Sequence, residues 1–293
     1  MPRGVYERKA RAPKPGSFAA YKASITQTDM TAKPVVVETD DEISARIAER
    51  FEVLEYMTDA SISGEVRSLI VSGPAGLGKS HTVETKLQAW DPDSARHTQV
   101  KGYVRAPSLF KLLYAHRYPG MVLVFDDADD VFLDEVSIGL LKAVCDSSDR
   151  RVVHYMTEAT LIDDSTGEVL PKSFQFDGTI IFITNQDFDA AIERGSKLAP
   201  HMEALVSRSH YIDLAMKSRR DYMIRIRQVI ANGLLADRGL DEDGQTDVVS
   251  FIESNMDSLR ELSLRMAIKV ANIRRKGGDN WKKVARVTCC RAA

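Results

Sequence analysis

Cysteine is scarce: Cys145, Cys289 and Cys290 are the only three in 293 residues. So few thiols exclude a disulfide scaffold, and their spacing offers no paired-thiol zinc site. Cys145 ends an apolar stretch that begins at Ile138 and reads as a small core residue of a helix, whereas the adjacent Cys289 and Cys290 read as an irregular chain end. A bilayer-crossing helix takes about 20 apolar residues, and no run approaches that length. Residues 1–30 also lack the apolar block of a signal peptide. A formal net charge of -2 announces no polyanionic partner, and no helix-turn-helix or base-stacking signature is present. These absences point to a soluble protein of a reducing compartment, the cytoplasm, without a membrane partner. At 44% hydrophobic and 28% charged, a chain of this length can bury a full core and divide into two units.

What the chain does contain is Gly73-Pro74-Ala75-Gly76-Leu77-Gly78-Lys79-Ser80, a fit to G-x-x-x-x-G-K-[ST]. Each fixed position has a physical task. Glycines let the backbone turn tightly, so that its N–H groups point at a phosphate with no Cβ in the way. The next helix adds its positive end. Lys79 would place charge on the β- and γ-phosphates of a nucleotide, and the Ser80 hydroxyl would complete the shell of Mg²⁺. Residues 67–71, which end in Leu69-Ile70-Val71, read as a short strand before the loop, and residues 80–89 as a helix after it. The candidate nucleotide-binding set is Gly73, Pro74, Ala75, Gly76, Leu77, Gly78, Lys79, Ser80 and His81.

Residues 121–125 are five consecutive apolar residues followed by Asp126 and Asp127. Such a run suits a strand buried on both faces of a parallel sheet, and its carboxyl end is where open α/β sheets bind ligands. Asp126 would hold the Mg²⁺ and Asp127 would orient or deprotonate an attacking water; Asp129 and Asp130 read as caps of the next helix. Residues 179–183 form a similar run ending in Thr184-Asn185, and an asparagine can both donate and accept there.

Phosphate loop, apolar strand with an acidic pair, and apolar strand with an asparagine, in that order, resemble the AAA+ ATPase family over residues 34–288. The layout is similar to the short, single-module members common in bacteriophage genomes. The resemblance implies a three-layer αβα core with a parallel sheet, a small all-helical lid, and ATP hydrolysis with Mg²⁺. Asp126-Asp127 then occupies the Walker B position and Asn185 that of sensor 1. The stretch 202–208 resembles the family's box VII, which nominates Arg208 as an arginine reaching a neighbouring subunit's nucleotide in a ring or spiral. Arg265 fits sensor 2, with Ser263 as helix cap, and Arg260 is the alternative. The family's usual pair is Asp-Glu; Asp127 is one methylene shorter, which implies slower hydrolysis or a second water.

The remaining chain divides into a basic tail (1–33), a core (34–215) and a lid (216–293). In the tail, Arg3, Arg8, Lys9, Arg11, Lys14, Lys22 and Lys33 face only Glu7 and Asp29. Residues 40–60 carry apolar side chains at three- and four-residue steps, a helix that the resemblance places against adenine. Residues 98–104 read as the second strand and 108–117 as the next helix. Tyr103, after Gly102, stands where the family grips an extended polymer, or else belongs to the core. Residues 152–156 and 168–170 flank Asp163 to Gly167 as arms of a hairpin, either a pore or DNA element or a surface insertion. After Leu214 come helices over 219–235, 246–254, 263–275 and 280–287, broken at Gly239, Gly244 and Gly277-Gly278. The basic end (Arg274, Arg275, Lys276, Lys282, Lys283, Arg286, Arg291) either offers nucleic-acid phosphates a surface, together with the tail, or is a set of solvated side chains at helix ends. The expectation is an ATPase working on a DNA-associated substrate. A protein remodeller and a weakly hydrolysing, nucleotide-gated assembly switch are the alternatives.

Overall fold

Three apolar runs set the centre of the fold. Ser68–Ser72 (β1), Val122–Asp126 (β3) and Thr179–Thr184 (β6) are buried along their whole lengths, as strands covered on both faces must be. The computed structural model describes residues 38–195 and 197–292, so the basic segment 1–33 lies outside it. With His97–Lys101 (β2) and His210–Asp213 (β7), the runs form a five-stranded sheet in the order β2-β3-β6-β1-β7. Every neighbouring pair in it is parallel.

Alternation along the strands sorts the core into two layers. Ile70, Leu123, Phe125, Ile180 and Phe182 pack with Ala106–Ala115 (α3) and Glu135–Val144 (α4). Leu69, Val71, Val122, Val124, Ile181 and Ile183 pack instead with Asp40–Ser63 (α1) and Lys79–Trp90 (α2). The expected three-layer αβα arrangement follows. Two short helices, Phe188–Glu193 (α5) and Ala199–Val206 (α6), lead into β7.

Four helices follow the sheet: Arg219–Ala231 (α7), Glu242–Ser254 (α8), Leu264–Lys276 (α9) and Trp281–Cys289 (α10). They gather around their own cluster, with Ile226, Phe251, Ile252, Val270 and Trp281 at its centre. This is the small helical lid. Local chemistry fixes three of its helix starts: the side chains of Ser218, Asp241 and Ser263 accept from the N–H of Asp221, Gly244 and Met266. Gly244 therefore lies inside the first turn of α8 and does not break the helix.

Other elements differ from expectation for reasons of backbone and long-range pairing. β2 stops at Lys101 because Gly102 turns the chain at φ +90°. Val152–His154 (β4) pairs antiparallel with Ser173–Gln175 (β5), not with residues 168–170. The turn at 163–167 is a smaller hairpin closed by the bridge between Ile162 and Val169. Asp134, rather than Asp129 or Asp130, caps α4. Cys289 and Cys290 are buried: the Arg260 N–H donates to the Cys289 carbonyl, and Leu259 bridges Cys290. Among the described residues, no helix is long and apolar enough to cross a membrane.

Candidate functional site

The parallel register brings three polar strand ends level. Asp126 lies opposite Ile183 and Lys101, and Ser72 lies opposite Thr184. The loop after β1, the acidic pair after β3 and Asn185 after β6 thus meet at one edge of the sheet. Gly73, Gly76 and Gly78 have φ of +149°, +76° and +100°, so the loop takes turns that side chains resist. The Leu77 side chain, 1% exposed, anchors it in the core.

Lys79 folds back over this loop. Its Nζ donates to the carbonyls of Gly73 (2.6 Å) and Pro74 (2.9 Å) and to Asn185 Oδ1 (3.0 Å). Burial lowers its pKa to about 8, against the opposing pull of the Asp127 and Asp126 carboxylates. Asn185 also donates through Nδ2 to Asp127 Oδ1 at 2.6 Å, so one amide joins the lysine to the acid. Asp127 adopts φ +54°, in the left-handed region that aspartate tolerates better than most residues.

The Ser80 hydroxyl donates to Asp126 Oδ1 at 2.7 Å. Asp126 Oδ2 accepts from Gln99 Nε2 at 2.9 Å and lies 3.2 Å from Lys101 Nζ. Neither Gln99 nor Lys101 was foreseen, because only the register of β2 against β3 reveals them. Asp129, expected as a cap, instead accepts from the Thr184 hydroxyl at 2.6 Å, and burial raises its pKa.

A cavity of about 280 Å³ opens between the loop and the lid. Ala75, Gly76, Gly78, Lys79, Ser80, His81, Asp127 and Asn185 line its core side. The lid contributes apolar Val229, Leu234, Leu264 and Ile268 with three arginines, Arg225, Arg238 and Arg265. Arg265 is thus in the cavity, whereas Arg260 lies outside it beside Cys289. Arg208 also lies outside: its Nη1 donates to the Ala204 carbonyl at 2.7 Å, and its Nε is 3.7 Å from Asp146. No residue of α1 lines the cavity, contrary to expectation; α1 bears on it through Phe51, over whose ring the Arg225 guanidinium lies at 3.4 Å. Arg225 and Arg238 carry no sequence signal, since charged residues in a lid helix ordinarily face water.

Against these cations the lining offers one carboxylate, Asp127, so the cavity suits an anion. Ser80 and Asp126 form an all-oxygen donor pair, the chemistry that a hard divalent cation takes. The residues present therefore fit a phosphate chain with Mg²⁺.

No family model matches the chain. It is 34% identical over 267 residues to an uncharacterized 36.7 kDa protein in the nrdC-mobD intergenic region of Enterobacteria phage T4, across 90% of this chain and 81% of that one. Among solved structures, NtrX from Brucella abortus in complex with ATP is similar at a TM-score of 0.50 and 11% identity. The similarity covers 89% of this chain, which spans 58% of the NtrX chain's length, and it bears on the fold alone. Domain III of the Thermotoga maritima replication initiation protein DnaA gives a TM-score of 0.48 at 14% identity, over 84% of this chain and 92% of that one.

Proposed function

We propose that the chain, which shares a family with its phage T4 relative, is an AAA+ P-loop ATPase that binds ATP with Mg²⁺ and hydrolyses it to drive conformational work. The observation that carries this reading is the Lys79–Asn185–Asp127 chain of hydrogen bonds at the mouth of a glycine-lined, cationic cavity. Lys79 neutralises charge on the terminal phosphates, and Arg265 approaches the same anion from the lid. Asn185 positions the attacking water, and the Asp127 carboxylate takes its proton. Ser80 and Asp126 would hold Mg²⁺, which when bound offsets phosphate charge. Asn185 and Arg265 also connect the state of the nucleotide to the lid.

Arg208 lies outside its own chain's cavity, which supports a role at a junction with a second copy in a ring or spiral. The reading places the protein in the cytoplasm, with its nucleotide. For the substrate we favour a DNA-associated one. Lys282, Lys283 and Arg286 are exposed on α10, a basic face suited to phosphates. One observation favours a second reading, a protein remodeller: Tyr103 is 66% exposed after Gly102, positioned to grip an extended chain rather than buried in the core, with Arg105 donating to its hydroxyl at 3.1 Å. A weakly hydrolysing switch corresponds to the short acid at Asp127.

Titration calorimetry with ATP and ADP tests the binding claim. The full chain is expected to bind both, and Lys79→Ala is expected to remove that heat. A wild-type protein that binds neither ends the reading. Turnover with single-stranded DNA, compared with turnover on an unfolded protein, separates the two substrates.

A further inference from the structure

Arg225 stands at the seam between core and lid. Its neighbours on α7 face opposite bodies: Ile224 packs into the sheet cluster that holds α1 and α2, and Ile226 into the lid cluster. The guanidinium carbon lies over the Phe51 ring of α1, 3.4 Å from its centroid, and its Nε donates to the Leu77 carbonyl at 3.4 Å. A Cβ placed on Gly78 would sit 3.7 Å from its Nη2. Four residues along the same helix, Val229 begins the apolar wall of the cavity.

Among the described residues, no carboxylate bonds to Arg225. Burial lowers its pKa to about 10, with only a distant pull from Glu55, so it stays charged at neutral pH. Removing a cation from water without an anion is costly. The same helix shows the structural solution to that problem: Asp221, 1% exposed, is paired with Arg46 at 2.9 Å. Arg225 lacks such a partner, yet it is held by Phe51 and the Leu77 carbonyl and lines an anion-suited cavity. Phosphate-loop residues lie on one side of it and the apolar wall on the other. In a nucleotide, the boundary between anionic chain and apolar base is the phosphate joined to the sugar.

We propose that Arg225 is a nucleotide-binding residue that pairs with the α-phosphate and so makes the lid's position depend on a bound nucleoside phosphate. The proposal rests on the nucleotide reading above. It adds a recognition element carried by the first lid helix, distinct from Lys79 and Arg265.

The test is displacement calorimetry of adenosine, AMP, ADP and ATP on the full chain, for wild type, Arg225→Met and Arg225→Lys. Loss of a charge-assisted pair predicts that Arg225→Met weakens AMP, ADP and ATP alike by about 10- to 100-fold. Adenosine affinity should not change, and Arg225→Lys should retain most of the phosphate affinity. A loss as large for adenosine as for AMP would assign Arg225 to the base and overturn the proposal. Equal behaviour of the Lys and Met variants would do the same, by showing that packing over Phe51 matters rather than charge. Should Arg225→Met fail to fold, phosphorus NMR of ADP bound to Arg225→Lys and to wild type decides: the α resonance must move more than the β. Wild type that binds no nucleotide sinks the underlying reading with the proposal, whereas variants that bind ADP as wild type does sink the proposal alone.

Discussion

The backbone N–H of Leu264 donates to the carbonyl of Gly76 at 2.9 Å. One bond thus ties the first residue of α9 to the middle of the phosphate loop. Ser263, the cap of that helix, is packed so closely that a Cβ on Gly76 would lie 2.6 Å from its own Cβ. The contact sets where α9 begins and therefore where Arg265 meets the cavity. The glycine-rich loop and the helix that carries Arg265 share a backbone junction.

Gly76→Ala should break that junction. The new methyl clashes with Ser263, and φ of +76° strains any L residue. Strain of this kind costs about 1–3 kcal/mol. The expected outcome is a melting temperature lowered by several degrees and weaker ATP binding, read by thermal denaturation and calorimetry. An alanine variant that melts and binds as wild type would show that the lid does not rest on the loop.

Asp127 offers a clean separation of fold from chemistry. Its φ of +54° costs glycine nothing, so Asp127→Gly should keep or slightly raise stability. The same change deletes the carboxylate that Asn185 holds at 2.6 Å. Turnover should fall by about 10²-fold or more, as for loss of a general base, while ATP affinity is largely kept. Steady-state phosphate release beside calorimetry checks both halves. Unchanged turnover would remove Asp127 from the mechanism.

The left-handed backbone at Asp127 also gives a physical account of the departure from the family's usual glutamate. Aspartate tolerates that conformation better than longer side chains do. This was not legible in the sequence, which shows the acid but not its φ. The phosphate loop, Asp126, Asp127 and Asn185 were legible because each follows a continuous apolar run, and such runs become central strands with their ends on one edge. Arg225 was not, because one arginine among Arg219, Arg220 and Arg227 on the same helix has nothing local to distinguish it. The partner of β4 was missed for a related reason. Ser173–Gln175 has little strand character of its own and is selected by packing of Phe174 between Phe110 and Tyr114. Burial of Cys289 and Cys290 likewise depends on Leu259, about thirty residues earlier in the chain.

Acid should loosen the lid's attachment through Asp221. Burial by itself would raise the pKa of this carboxyl, but bonds from Ser218, Arg46 and the Lys217 N–H outweigh it and bring it below the usual 3.8. A carboxyl whose folded pKa is depressed stabilises the fold fully above its unfolded pKa, and that stability is lost as pH falls through the lower folded value. Because Arg46 lies on α1 and Asp221 on α7, the loss falls on the joint between core and lid. Asp221→Asn should cost about 3–5 kcal/mol at neutral pH, the range for breaking a buried pair. Its melting temperature should also change less than that of wild type from about pH 5 to pH 3. Parallel pH profiles for the two proteins would rule out Asp221 as the group responsible.

Arg208 makes the assembly testable without a view of the oligomer. Within one chain its guanidinium is held by the Ala204 carbonyl and Asp146, away from the cavity that contains Lys79. If it serves a neighbour's nucleotide, Arg208→Ala should keep ATP affinity while turnover falls by about 10³-fold, the scale of losing an arginine at the transferring phosphate. Lys79→Ala should lose binding as well as turnover. Mixing the two inactive variants then builds junctions in which an intact Lys79 on one copy meets an intact Arg208 on the other. Turnover absent from either variant alone should reappear and should rise with protein concentration as junctions form. An arginine acting within its own chain predicts no recovery at any mixing ratio, because every copy would lack one of the two groups.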